Sequence, residues 1–241
     1  MQLGLLLCDH IDPDFRRTGG DYPDLFLDRI REVMPSARLR VFDAEAGELP
    51  APETRLDGWL ISGARHDAFG DYPWLARLKA RVHELLAAGE RVAGVCFGHQ
   101  LLALMHGGEV GRAPAGWGIG NHGYRWRAGG GPDYRLLVSH QDQVLRLPSQ
   151  ARLLAGSAFC PHAAFTLGER VLGVQGHPEF TPDYARFLIE LRRHRFDDDL
   201  YRRAMDSVEQ PHHGAEVMGM ILAFLRGESP QVPDETGHPL D

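Results

Sequence analysis

Val92-Ala93-Gly94-Val95-Cys96-Phe97-Gly98-His99-Gln100-Leu101-Leu102 is the stretch from which the rest of the chain can be read. A short apolar strand runs into Gly-Val-Cys-Phe-Gly and then into an apolar segment of helical character, which is a G-x-nucleophile-x-G turn with cysteine in the serine place. Such a turn holds its central residue in a strained conformation. Side chains two positions before or after it would strike neighbouring backbone, which explains glycine at 94 and 98. The turn also puts Cys96 at the positive end of a helix, where aligned peptide dipoles favour thiolate over thiol. A lone cysteine is ordinarily a small buried hydrophobe, and Cys8 and Cys160, which lack this setting, read that way.

Around this turn the chain alternates short apolar runs with amphipathic stretches, the pattern of an α/β fold with a mostly parallel central sheet flanked by helices. Strands are expected at Leu3 to Cys8, Leu39 to Phe42, Gly58 to Ser62 and Val92 to Val95. Helices are expected at Tyr22 to Met34, stopped by Pro35, and at Pro73 to Ala88, opened by proline and ended by Gly89. From about Gly116 to Val174 the sequence turns Gly-rich and β-prone, with strands at Gly118 to Trp126, Leu136 to Ser139, Leu153 to Ser157 and Ala163 to Leu167. That predicts a small antiparallel extension of the same domain, with Ala128 to Asp133 as a turn or flexible loop. After a strand at Val171 to Gln175, helices are expected over Pro182 to Arg195 and His213 to Leu225. One domain thus covers residues 1–226, followed by a tail over 227–241.

The 241 residues carry 33 acidic against 26 basic side chains, a formal charge of -7, with 43% hydrophobic residues; this excludes collagen-like, coiled-coil and disordered classes. The basic residues are nearly all arginine and are interleaved with acids, which argues against a nucleic-acid partner. Three scattered cysteines make no disulfide framework and point to a reducing compartment. No run approaches the roughly 20 apolar residues of a membrane helix. A cytoplasmic protein is expected.

A thiolate that transfers an acyl group needs a base and a partner that orients the base. Gln175-Gly176-His177-Pro178-Glu179-Phe180, at the end of a strand, supplies both: residues two apart in extended chain point to one side, so Glu179 can reach the imidazole of His177. The order is Cys96, His177, Glu179.

Gly94-Val95-Cys96-Phe97-Gly98-His99-Gln100 followed by Gly176-His177-Pro178-Glu179 resembles the class I, triad-type glutamine amidotransferases, which include the glutaminase domain of GMP synthase. The resemblance runs from Leu3 to about Arg193 and implies a flavodoxin-like three-layer fold. It implies that Cys96 attacks a γ-glutamyl amide to form a thioester, that His177 protonates the departing amine and then activates water, and that Glu179 orients His177. It further implies an oxyanion hole from the backbone N–H groups of Gly63 and Phe97, and a glutamyl pocket lined by Gln100 and by Ser139, His140, Gln141 and Asp142. The longer polar segment Ser62 to Asp71 resembles a stand-alone branch that includes γ-glutamyl peptidases, and Gly176 replaces an aromatic residue common before His-Pro-Glu. Arg65 and His66, on the loop after the oxyanion glycine, are candidates for substrate recognition.

The expected reaction is therefore cysteine-dependent cleavage of a small-molecule γ-glutamyl amide, without cofactor or metal. A glutaminase subunit feeding ammonia to a separate synthetase is the alternative within this chemistry, since no phosphate-binding G-x-x-x-x-G-K-S/T loop is visible. A non-catalytic or redox-sensing thiol protein on the same fold is the alternative outside it. His212-His213 reads as structural, as adjacent histidines without acid or thiol neighbours make a poor metal site. Arg192-Arg193-His194-Arg195 before Asp197-Asp198-Asp199 reads as a solvated, self-neutralising face. Trp117 and Trp126 are expected to pack the core, with one of them able to wall the pocket.

Overall fold

The computed structural model describes residues 1–127 and 133–231; the loop expected within Ala128 to Asp133 and most of the 227–241 tail lie outside them. The chain opens with β1 (Gln2–Leu7), a short α1 (Pro13–Gly19), α2 (Tyr22–Val33), β2 (Arg38–Asp43) and β3 (Gly58–Ile61). Then come α3 (Pro73–Ala87), β4 (Val92–Val95) and α4 (Phe97–Met105). The β-rich region holds β5 (Glu109–Arg112), β6 (Gly118–Trp126), β7 (Tyr134–His140), β8 (Asp142–Arg146), β9 (Ala151–Gly156), β10 (Ala164–Leu167) and β11 (Val171–Val174). The chain then forms α5 (Pro182–Leu191), α6 (Asp198–Val208) and α7 (Gly214–Leu225).

Nine strands form one sheet in the order β2-β1-β3-β4-β11-β10-β9-β6-β7. The half from β2 to β11 is parallel, and the half from β10 to β7 is antiparallel. β5 and β8 pair separately. Strands β4 and β11 run side by side with Val95 opposite Val174, so the turns that follow them emerge together at one edge of the sheet. This is what brings residues 96 and 177 near each other from opposite ends of the motif.

The alternation of strand side chains builds a core on each face. Leu3 and Leu5 of β1 pack with Phe26, Ile30, Val217 and Ile221 on the side of α2 and α7, while Leu6 packs with Trp59, Leu75, Leu78, Val82 and Leu101 on the side of α3 and α4. Leu75, Leu78, Val82 and Leu85 are buried at helical spacing, and each such side chain contributes about 1.5–3 kcal/mol by leaving water. The helix they anchor starts at Pro73 and gives way to Gly89, whose φ of 90° suits only glycine without strain.

The helix expected over Pro182 to Arg195 is shorter than its pattern. It stops at Leu191, where Arg192 leaves helical geometry (φ -104°, ψ 14°), and a single 3-10 turn, Arg193–Arg195, follows. The break lets Phe196 reach the core beneath α5 and turns Arg192 toward Ser139, to which it donates.

Candidate active site

Cys96 is the only non-glycine residue with positive φ (50°) among the described residues, and it stands as the N-cap of α4. The flanking glycines are sterically required. A Cβ on Gly94 would run into the Gly98 carbonyl group, and one on Gly98 would lie 2.5 Å from the Ile61 carbonyl oxygen. The strain at Cys96 is held in place by a packed helix, since Phe97, Leu101, Leu102 and Ala103 are buried.

The turn after β11 supplies the partner. His177 N–H donates to Leu137 O of β7 at 2.9 Å, which fixes this backbone against the antiparallel half of the sheet. Its Nδ1–H donates to Glu179 Oε1 at 2.7 Å, both side chains being buried, and the imidazole lies close enough to Cys96 to feel its charge. Burial alone would discharge the ring, but the charges of Glu179 and Cys96 and the hydrogen bond to Glu179 outweigh it and raise the His177 pKa to about 10. An imidazolium at neutral pH therefore faces the sulfur. Phe180 stacks on this ring at 3.7 Å between centroids and 13° between planes.

Gly63 lies against both partners: a Cβ there would stand 2.8 Å from His177 Cε1 and 3.7 Å from Cys96 Cβ. The Ser62 hydroxyl donates to the Gly63 carbonyl oxygen at 2.9 Å and accepts the Cys8 N–H at 2.9 Å, which sets the following peptide. Phe97 is the first residue of α4, and helix geometry leaves the N–H groups of a first turn without intrahelical acceptors. Gly63 and Phe97, the two expected oxyanion donors, therefore both lie beside Cys96.

The cleft at Cys96 is lined by Gln100, Ser139, His140, Gln141 and Asp142, by Arg65, His66 and Asp67, and by Trp117, Arg112 and Arg192. Within it, Gln100 Nε2 donates to Asp142 O at 2.9 Å and to Gln175 Oε1 at 3.1 Å, and Gln175 Nε2 reaches Cys96 Sγ at 3.5 Å. Gln100 thus steadies Gln175, which touches the sulfur. Gln175 escaped the sequence reading, although the two-residue period that linked His177 to Glu179 extends back to it. His140 is buried, which lowers its pKa to about 3, so it is a neutral wall. Burial raises Asp142 to about 6, a shift opposed by the Arg112 charge and reinforced by Asp67. Arg112 bridges the two acids at 2.9 Å and 3.2 Å.

Arg65 and His66 border the cleft with their polar ends engaged elsewhere. Arg65 is held by Asp9, with its Nη2 at 2.7 Å from Oδ1, and by the His10 carbonyl at 2.8 Å. His66 Nε2 is 2.9 Å from Glu45 Oε1, and its ring packs against Tyr72 and Trp74. Trp126 is in the core, whereas Trp117 walls the cleft. His213 Nδ1 accepts the Arg135 N–H at 3.0 Å, and His212 Nδ1 accepts the Gly214 N–H at 3.3 Å. Of the arginine cluster, Arg193 pairs with Asp198 as expected. Arg192 and Arg195 do not follow it; they lie over the Trp117 ring, 5.8 and 5.7 Å from its centroid.

Residues 26–190 match the profile described as Glutamine amidotransferase class-I. The chain belongs to the class I glutamine amidotransferase family. Among its relatives, Gamma-glutamyl peptidase 3 of Arabidopsis thaliana is 34% identical over 188 residues, 71% of this chain and 74% of that protein. A GMP synthase [glutamine-hydrolyzing] of Aeropyrum pernix is 36% identical over 178 residues, 67% of this chain and 31% of that protein. The fold is shared with a glutamine amidotransferase from Methylobacillus flagellatus (TM-score 0.71, 18% identity, covering 100% of this chain and 98% of that one). A glutamine amidotransferase from Thermotoga maritima gives a TM-score of 0.67 at 20% identity, covering 92% of this chain and 96% of that one. Among the described residues no helix is long and apolar enough to cross a membrane.

Proposed function

We propose that this family member hydrolyses γ-glutamyl amides through a thioester on Cys96. The observation that carries the reading is the buried line from Glu179 through His177 to Cys96 at the base of the cleft. The sulfur attacks the γ-carbonyl carbon, and the N–H groups of Gly63 and Phe97 hold the oxygen that becomes negative; one such donor is typically worth about 3 kcal/mol of barrier. As the tetrahedral intermediate collapses, the carbon–nitrogen bond breaks and His177 gives its proton to the departing amine. His177, now neutral, takes a proton from water as the water attacks the thioester. Glutamate leaves, and the thiolate and imidazolium are restored. Glu179 keeps the ring oriented throughout, and the cleft lined by Gln100 and Ser139 to Asp142 takes the glutamyl group.

Action without a partner is the form favoured over a glutaminase subunit. The peptidase relative aligns along 74% of its own length and the GMP synthase along 31%. Purified protein incubated alone with glutamine and a panel of γ-glutamyl amides should release glutamate. Release that requires an added synthetase would favour the subunit reading, and no release from any compound, with or without a synthetase, would remove the hydrolase.

A further inference from the structure

The chemistry above leaves two arginines at the mouth of the cleft without a role. Arg192 caps α5, and Arg195 closes the 3-10 turn after it; both guanidinium groups lie over the Trp117 ring. The acids nearby are already engaged: Asp198 pairs with Arg193, Asp199 with Arg203, and Asp197 accepts the Leu200 N–H that opens α6. Among the described residues no carboxylate forms an ion pair with Arg192 or Arg195. In a chain of net charge -7 this is a local excess of positive charge.

These side chains line a groove of about 430 Å³ that shares Arg65, Trp117 and Arg192 with the catalytic cleft. Its acids are also engaged. Asp9 is held by Arg65, and Asp12 accepts the Asp14 N–H at 2.9 Å at the start of α1. His10 is bracketed by Asp21 at 2.6 Å and Asp43 at 2.8 Å. Leu188 and Leu191 supply apolar lining, and Leu191 is 46% exposed. The groove thus offers an indole wall, two cations without counter-ions and an aliphatic surface. Guanidinium groups braced on an aromatic ring are suited to gripping a carboxylate.

We propose that this groove binds the departing amine and selects amines that carry a carboxylate on an apolar body, as a C-terminal amino acid does, with Arg195 and Arg192 as specificity-determining residues. The proposal rests on the γ-glutamyl hydrolase reading. That reading puts the glutamyl half of the substrate in the inner cleft and the scissile bond at Cys96, so the amine half extends across Trp117 into the groove.

The test compares γ-glutamyl-leucine with γ-glutamyl-leucinamide, which match in shape and differ in the terminal charge. Binding to the full chain carrying Cys96→Ala, measured by calorimetry, reads the groove without turnover. The acid should bind about two- to fivefold tighter than the amide, the range expected for a partly solvated charge contact. Arg195→Gln in the same background should bring the ratio close to one while the melting temperature holds, since Arg195 is exposed. Equal affinity for the two ligands, a preference that survives Arg195→Gln, or binding of neither overturns the subsite. Turnover by the wild-type chain separates the two readings. Failure to cleave these compounds, glutamine or any other γ-glutamyl amide, with or without a synthetase, while the acid preference is measured removes the hydrolase reading and leaves the charge-selective groove; cleavage of both leucine compounds at equal kcat/KM removes the subsite and leaves the hydrolase.

Discussion

Cys8 and Cys96 each follow the last residue of a parallel strand, β1 and β4, with only β3 between those strands, so both sulfurs reach the same edge of the sheet. Both are buried. At the end of β1 the backbone keeps a negative φ and the thiol donates to the Leu6 carbonyl at 3.4 Å; burial pushes its pKa well up, which keeps it a neutral thiol. At the end of β4 the backbone twists to positive φ, a helix begins at the next residue, and a charged imidazole stands against the sulfur. The two cysteines thus differ in the turn that holds them and in what they face, not in residue type or depth, and the proposed reactivity of Cys96 rests on that difference.

The largest expected effect tests that contrast directly. Cys96→Ala should lower kcat by about 10⁴-fold or more, as loss of a covalent nucleophile does. Cys8→Ala should leave kcat within about twofold and cost about 1 kcal/mol of stability, measured by denaturant unfolding. It keeps the Cys8 N–H that holds Ser62 behind Gly63. Equal loss at both positions would show that the site depends on packing at the strand ends and not on one sulfur.

Next in size is Glu179→Gln, which sharpens the contrast by removing the charge and keeping the shape. The Glu179 charge is the largest of the influences that raise His177 to about 10. Because the folded value lies above the ordinary 6.5, the charged ring and the stability it contributes are complete below 6.5 and are lost as pH rises through about 10. Wild-type kcat/KM should accordingly fall on the alkaline side near that value. In Glu179→Gln the fall should move to lower pH, with kcat reduced by about 10²- to 10⁴-fold. A pH–rate profile with an unmoved alkaline limb would sever Glu179 from His177.

The same contrast explains what could be read in the sequence. The elbow was legible because steric necessity leaves few residue choices at 94 and 98, and the parallel strands because apolar runs buried on both faces have few competing readings. The site residues that escaped, Gln175 and Phe180, flank the His-Pro-Glu element, and only the turn after β11 shows that one meets the sulfur and the other the imidazole. Four elements lacked a strong pattern. β5 and β8 are short polar strands that bury little beyond Val144 and the Asp142–Gln143 corner. α1 buries no residue, and α6 buries only Ala204 and Val208. For α6 a signal was present: Asp197 caps it and Asp198 and Asp199 fill its first turn, where acids complement the helix dipole, yet in the sequence they read as a charged surface. Arg192 and Arg195 were misplaced for a related reason, since adjacency to acids in sequence says nothing about a tryptophan brought in from β6's approach.

The smallest expected effect concerns how the imidazole is held. Phe180 covers one face of His177 and is itself met edge-on by Tyr184 at 4.8 Å, whose hydroxyl donates to that of Tyr22 at 3.2 Å. The hydrogen bond to Glu179 fixes where Nδ1 sits but leaves the ring free to rock about that bond; the stacked phenyl opposes the rocking and keeps Nε2 aimed at the sulfur. Phe180→Leu keeps the burial and loses the flat contact. It should lower kcat about three- to tenfold, in line with about 0.5–1.5 kcal/mol for an aromatic pair, while KM stays put because the glutamyl cleft does not include Phe180. The alkaline limb should stay near its wild-type position, since the charge of Glu179 is still in place. A loss of stability with unchanged kcat would make Phe180 ordinary core, and a loss of kcat with a shifted limb would mean that the ring sets the proton affinity of His177 as well as its aim.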